Sequence, residues 1–143
     1  MNIKFIFFLL GQKGYQVLAS VLGSYGAHIQ AVIVGHDQAI QDDFSALIIA
    51  KCNDYGIRWI EREDSQGVLA DFHGYKFAIG WRWLIEDTNN LIVFHDSLLP
   101  KYRGFAPLVN ALIQGESRLG ASALFATTHY DTGDIIDQKS FEA

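Results

Sequence analysis

Ile3-Lys4-Phe5-Ile6-Phe7-Phe8-Leu9-Leu10 decides the fold. The run is almost continuously apolar and does not alternate. A strand reads this way when both its faces are buried, as in a parallel sheet covered by helices. A positive charge followed by apolar residues also imitates a secretion signal. The run is too short to span a bilayer, however, and Gly11-Gln12-Lys13-Gly14 follows where a small-residue cleavage site would stand. We read it as a buried first strand.

Beyond the Gly11 to Gly14 turn, Val17, Leu18, Val21, Leu22 and Tyr25 recur at helical spacing, and Gly26 takes the C′ position. Ile29 to Val34 is the second strand. Strand, helix and strand at this spacing form a βαβ unit with a right-handed crossover. Phe44, Leu47, Ile48, Cys52 and Tyr55 mark a second covering helix that runs to Gly56, and Asp42 and Asp43 suit its positive N-terminus. Ile57 to Ile60 is a short strand, Val68, Leu69 and Phe72 a helix ending near Gly74, and Tyr75 to Ile79 a further strand that empties into Gly80-Trp81-Arg82-Trp83-Leu84-Ile85. Two indoles at a strand end either line a pocket for a flat heterocycle or close the edge of a core. Leu91 to Phe94 is the strand that delivers His95. Pro107 opens a helix carrying Leu108, Ala111 and Leu112 on one side and stopped by Gly115. Ala121 to Thr128 alternates toward a strand, and Ile135 to Gln138 begins the last one. The fold class is α/β: a mostly parallel, Rossmann-like sheet with helices on both faces, in one domain over 1–143.

At 143 residues, 50% of them apolar, the chain can build a real core, which excludes a disordered class. A net charge of −5 disfavours a sequence-independent grip on nucleic acid. The single cysteine, Cys52, excludes an intramolecular disulfide and falls on an apolar helix face, so it reads as core filler in a reducing, cytoplasmic compartment. No stretch is long enough to cross a membrane. Gly11-Gln12-Lys13-Gly14 lacks the G-x-G-x-x-G spacing of a dinucleotide site, and no acidic residue closes the second strand. His36-Asp37 reads as a solvated loop.

His95 sits at the carboxyl end of a strand, where ligand crevices of open α/β sheets lie. His129-Tyr130-Asp131-Thr132-Gly133-Asp134 is a carboxylate-bearing turn after a later strand. If the two strands are neighbours, an imidazole and a carboxylate meet, which suits general acid–base chemistry. The same residues also suit a satisfied strand-end histidine and a turn-forming aspartate. The start of the helix at Pro107, facing a loop with Lys101 and Arg103, suits an anion.

The order of these pieces resembles the formyltransferases that use 10-formyltetrahydrofolate, of the methionyl-tRNA and sugar-nucleotide types. Their N-x-H-x-S-L-L-P-x-x-R-G loop is matched by His95-Asp96-Ser97-Leu98-Leu99-Pro100-Lys101-Tyr102-Arg103-Gly104, and their D-x-G-x-I turn by Asp131-Thr132-Gly133-Asp134-Ile135. The resemblance implies catalytic roles for two residues. His95 would donate to the formyl oxygen while an amine attacks the formyl carbon. Asp131 would orient His95, hold its charge and help move the amine proton. It also implies that Trp83, Leu84 and Ile85, with Thr127, Thr128, His129, Tyr130 and Asp131, bracket the pterin ring of the formyl donor, largely through main-chain groups. Arg103 and Phe105 would face the acceptor. The donor carries the reactive group, so no metal is required, although His95, His129, Asp131 and Asp134 imitate a ligand set.

Arg103-Gly104 before Ala106-Pro107 is closer to the tRNA and sugar branches than to the glycinamide-ribonucleotide branch. The acidic chain carries no basic C-terminal domain, which favours an amino-sugar nucleotide as acceptor over methionyl-tRNA. Two departures matter. The asparagine two residues before the histidine is Val93 here, so one oxyanion donor is replaced by an alkyl group. That leaves open a folate-binding or regulatory domain without catalysis, and a 10-formyltetrahydrofolate hydrolase. The chain also stops at Ala143, short of the family's usual catalytic domain. This implies either a fragment truncated at its C-terminus or a minimal domain that covers its sheet by homo-oligomerising.

Overall fold

A computed structural model describes residues 2–129 and 131–143. The chain divides into two compact units, one ending at Leu84 and the other beginning at Ile85.

In the first unit, β1 (Phe5–Leu9), α1 (Gly11–Tyr25), β2 (Ile29–Val34), α2 (Ser45–Asp54), β3 (Trp59–Glu61), α3 (Gln66–Ala70) and β4 (Tyr75–Ile79) follow one another. β1 pairs in parallel with β2 on one side and β4 on the other, and β2 pairs in parallel with β3. The unalternating apolar run of β1 has the expected cause, since both of its faces are buried. Phe7 and Leu9, with Val32 and Val34 of β2, pack against Leu18 and Leu22 of α1 and Ile48 and Cys52 of α2. The opposite face of the same strands carries Ile6, Phe8, Ala31 and Ile33, each no more than 3% exposed. Full burial of a leucine such as Leu18 stabilises by about 1.5–3 kcal/mol, so this doubly covered strand is where the unit's stability concentrates. Cys52 is fully buried core filler; burial pushes its thiol up to about 11.

Three local readings shift. α1 begins at Gly11 itself rather than beyond Gly14, because Gly14 lies in the first turn against Leu9, where an added Cβ would sit 3.1 Å from the Leu9 Cβ. The glycine serves close helix–strand packing rather than a turn. Gly26 is right-handed, with φ −53°, and the chain continues into a short 3-10 turn over 26–28. β3 starts at Trp59, two residues later than Ile57, whose amide instead donates to the Cys52 carbonyl and closes α2.

In the second unit, β5 (Leu91–His95), α4 (Pro107–Ile113), β6 (Arg118–Phe125) and β7 (Ile135–Glu142) form an antiparallel sheet flanked by one helix, with β6 between β5 and β7. β6 lies three residues upstream of the Ala121 to Thr128 reading; its start, Arg118-Leu119-Gly120, has too little apolar alternation to announce a strand. Pro107 opens α4 and Gly115 follows it with φ +74°, as expected. The apolar side of α4 does not bury as expected: Ala111 is buried, but Leu108 is 38% and Leu112 54% exposed.

One transverse row organises this unit. His95 of β5 pairs with Ser122 of β6, which pairs with Gln138 of β7. The Ser122 hydroxyl, fully buried, donates to the Ser97 carbonyl at 2.7 Å and accepts from the Leu99 amide at 3.1 Å. It also accepts from Gln138 Nε2 at 2.9 Å, and the same nitrogen donates to the Leu99 carbonyl at 2.9 Å. Removing that hydroxyl leaves buried groups without partners, a loss that costs about 1–3 kcal/mol. Ser122→Ala is therefore expected to lower unfolding stability by about 2 kcal/mol in urea titrations followed by circular dichroism, whereas Ser20→Ala on the exposed surface of α1 leaves the curve in place.

Candidate active site

β5 runs out at His95, and the chain turns back within ten residues. The Ser97 hydroxyl donates to the Lys101 carbonyl at 2.6 Å, and the Lys101 amide donates to the Leu98 carbonyl at 3.2 Å. The Leu99–Pro100 peptide is cis. Past it, Tyr102 and Ala106 adopt left-handed backbone, with φ +58° and +51°, flanking Gly104 at +90°. A left-handed conformation costs a residue with a Cβ roughly 1–2 kcal/mol, so the surrounding bonds must hold this loop in place.

Asp131 supplies several of those bonds. Its Oδ2 accepts the Gly104 amide at 2.8 Å and its carbonyl accepts from Arg103 Nε at 3.2 Å. Its Oδ1 lies 3.4 Å from His95 Nδ1, with the two side chains only 9% (His95) and 13% (Asp131) exposed. On the other side of the ring, His95 Nε2 donates to the Tyr102 carbonyl at 2.6 Å. The imidazole is thus held between a carboxylate and a main-chain carbonyl, two acceptors in a mostly dry setting. Such an arrangement can hold an imidazolium and relay protons.

The Asp131 turn is shaped by its neighbours. The Thr127 hydroxyl donates to the His129 carbonyl at 2.7 Å, and the Thr132 hydroxyl to the same carbonyl at 3.0 Å. The Phe125 amide donates to the Asp134 carbonyl at 3.0 Å, which carries Gly133 across the end of β6. A Cβ on Gly133 would collide with the Phe125 carbonyl. That explains chemically why glycine follows the aspartate in the D-x-G-x-I pattern.

His95 and Asp131 come together, and Arg103 joins them through the Asp131 carbonyl. Phe105 is 95% exposed. Thr127, Thr128 and His129 form the turn before Asp131; Tyr130 lies outside the described residues. In the first unit, Trp83 closes a core edge. Its ring meets Trp81 with centroids 5.0 Å apart, the Arg62 guanidinium lies 4.3 Å above it, and an added Cβ on Gly35 would strike it. Leu84 is 78% exposed. Ile85 opens the second unit. Among the described residues, no hydrogen bond engages the main-chain N–H or C=O of Trp83, Leu84 or Ile85. No three His, Cys, Asp or Glu side chains among the described residues converge as a metal set.

The sequence reading missed several participants. Ser122 gave no signal beyond strand alternation, and Gln138 gave none. Tyr102, whose hydroxyl donates to Glu116 Oε1 at 2.9 Å, stood inside the matched motif at one of its variable positions. Of His36-Asp37, read as a solvated loop, His36 is exposed but Asp37 is not. Asp37 is 8% exposed and paired with Arg82 at 2.5 Å, and His36 Nε2 lies 2.7 Å from Glu61 Oε2. The Arg82 hydrogen bond, helped by the Ala39 amide, holds the Asp37 carboxyl below the usual carboxylate range. The arginine that makes this pair lies 45 residues away in sequence, which local patterning does not report.

The family model described as formyl transferase matches residues 73–143. Over 46 residues the chain is 48% identical to the methionyl-tRNA formyltransferase of Lysinibacillus sphaericus (strain C3-41), a stretch that is 32% of this chain and 15% of that protein. The chain thus spans a small part of the length of the curated relatives it matches. Among solved structures, glycinamide ribonucleotide transformylase 1 from Symbiobacterium toebii superposes with a TM-score of 0.75 at 19% identity, over 99% of this chain and 74% of that one. The N-formyltransferase from Helicobacter canadensis, in complex with folinic acid and dTDP-3-aminofucose, superposes with a TM-score of 0.74 at 20% identity, over 99% of this chain and 53% of that one. These likenesses establish the Rossmann-like α/β fold.

Gly133→Ala is expected to force the turn off Phe125, because overpacking of this kind costs about 1–3 kcal/mol. A drop of that size in urea unfolding, together with displaced Asp131 and Gly104 backbone resonances by NMR, is the expected result. Unchanged spectra and stability would show that the turn has room to spare.

Proposed function

Through residues 73–143 the chain belongs to the formyltransferase family, and from that premise we propose that it transfers a formyl group from 10-formyltetrahydrofolate to a primary amine. The observation that carries this reading is the largely buried His95–Asp131 pair with its 3.4 Å contact. The residues present suit the donor. The main-chain groups of 83–85, without hydrogen-bond partners among the described residues, are donors and acceptors of the kind a pterin edge pairs with, and Leu84 offers exposed apolar area. The donor, when bound, supplies an activated formyl group on nitrogen.

His95 donates to the formyl oxygen as the C–N bond forms, and stabilises the negative charge that develops there. Asp131 holds the resulting geometry and accepts the proton that the attacking amine loses. It then returns that proton to the departing nitrogen, so that one amine hydrogen is exchanged for one formyl group. In this reading Arg103 and Phe105 meet the acceptor, supported by the Arg103 bond to the Asp131 carbonyl and by the exposure of Phe105. The preferred acceptor is an amino-sugar nucleotide, because a chain of net charge −5 offers a poor bulk field for tRNA. The 48% identity to a methionyl-tRNA formyltransferase supports methionyl-tRNA as the second reading.

The test is tetrahydrofolate release from 10-formyltetrahydrofolate with a panel of amino-sugar nucleotides and with methionyl-tRNA. Acceptor-dependent release is the expected result; release without acceptor would identify a hydrolase, and no release in any mixture would overturn the enzyme reading. His95→Asn and Asp131→Asn are each expected to slow transfer by about 10²- to 10⁴-fold, the usual range for a lost acid–base group.

Val93 follows the alternation of β5 onto the same face as His95 and pairs with Leu124, so no side-chain donor stands there. Val93→Asn is expected to raise kcat, toward the roughly 10²- to 10³-fold that one oxyanion donor commonly supplies. An unchanged or lower rate would show that the developing charge is met from elsewhere.

A further inference from the structure

The two contacts of the His95 ring are unequal. The Tyr102 carbonyl lies 2.6 Å from Nε2, whereas Asp131 Oδ1 stands 3.4 Å from Nδ1. A carbonyl oxygen only accepts, so Nε2 must carry hydrogen. The looser contact leaves Nδ1 as the nitrogen with room to change partners. Tyr102 holds its carbonyl there from a left-handed backbone with φ +58°, a conformation that a tyrosine does not keep without support.

That support is visible on both sides. The Tyr102 hydroxyl donates to Glu116 Oε1 at 2.9 Å, just beyond the end of α4, and Lys101 Nζ lies 3.7 Å from the same oxygen. On either side of Tyr102, the Lys101 carbonyl is held by Ser97 and the Gly104 amide by Asp131. Burial, reinforced by the Glu116 carboxylate, raises the Tyr102 phenol above its usual range, so it remains a donor through neutral pH.

We propose that Tyr102 is a positioning residue: anchored through its hydroxyl to Glu116, it presents the carbonyl that keeps hydrogen on Nε2 of His95 and leaves Nδ1 as the nitrogen that meets the reacting groups. His95 is then oriented by a main-chain carbonyl, and Asp131 presents Oδ1 on the same side as Nδ1 while its Oδ2 stays on the Gly104 amide. In the transfer step His95 carries hydrogen on both nitrogens: Nδ1–H donates to the formyl oxygen while Nε2–H stays on the Tyr102 carbonyl, and Asp131 passes the single amine proton to the leaving nitrogen. The kinetic part of this inference rests on the formyl-transfer reading; the assignment of the ring hydrogen does not.

Histidine-selective ¹⁵N labelling and long-range ¹H–¹⁵N correlation at neutral pH report which ring nitrogen is protonated. Wild-type His95 is expected to show a protonated Nε2. In Tyr102→Phe and Glu116→Leu, both checked for folding by circular dichroism, the Nε2 signal is expected to move toward a mixture of forms. In the same variants kcat is expected to fall by about five- to tenfold, the effect of one lost hydrogen bond, with KM for the formyl donor unchanged. Glu116→Gln keeps an acceptor for the phenol and is expected to restore both the spectrum and most of the rate. Wild-type protein with hydrogen on Nδ1 alone would overturn the proposal without needing any variant. So would Tyr102→Phe and Glu116→Leu proteins that keep the wild-type His95 spectrum. Absence of formyl transfer would instead sink the functional reading and leave the spectral result standing.

Discussion

The buried hydroxyl of Ser122 is the interaction on which the second unit depends. A strand that ends in His95 holds that side chain in place only if the chain after it is held still. The loop after His95 cannot hold itself, because it carries two non-glycine residues in left-handed backbone. Ser122, directly across the ladder from His95, joins three segments at one oxygen: the Ser97 carbonyl, the Leu99 amide and the Gln138 side chain. At zero exposure there is no water to substitute for any of them. The three strands and the loop are therefore one cooperative object rather than a sheet with an appended turn.

Asp131 has the complementary task. Each of its carboxylate oxygens and its carbonyl has a separate contact: His95, the Gly104 amide and Arg103. A group engaged three ways is costly to move, and it keeps the His95 loop and the 127–132 turn in register. The same economy explains Gly133, whose hydrogen lets the turn cross the Phe125 carbonyl. Preorganisation of this kind lets a modest donor set work without reorganising during reaction.

Most of the architecture was legible in the sequence because its causes are local. The unalternating run of β1 announced double burial, and the helical stripes of α1 and α2 announced their covered side. Pro107 and Gly115 bounded α4. The His95 and Asp131 segments stood out because titratable residues interrupt strand-like patterns at turns. What stayed hidden is long-range and polar. Ser122 reads as an ordinary strand serine, and Gln138 as a surface residue of an edge strand. The Asp37–Arg82 pair is invisible until β2 and the segment after β4 are brought together. Gly14 misled because glycine serves both turns and close packing, and only the position of Leu9 decides between them. β6 was read too late because Gly120 breaks the apolar alternation at its start.

Val93 shows how the remaining chemistry must be arranged. Strand alternation puts it on the face of His95, and its partner Leu124 is 1% exposed, so an apolar pair lies beside the polar row of His95 and Ser122. An apolar wall donates no hydrogen bond, but it excludes water and lowers the local dielectric. Charges interact more strongly there, with a Coulomb energy that scales inversely with the dielectric constant. The contact between His95 and the Asp131 carboxylate is therefore less screened beside a valine than beside a hydrated asparagine. Where the resembling motif has asparagine, this chain has an alkyl side chain beside a less screened His95–Asp131 contact. A ring whose Nε2 is already committed to the Tyr102 carbonyl has only one nitrogen with which to use that gain, and it is the one that faces Asp131.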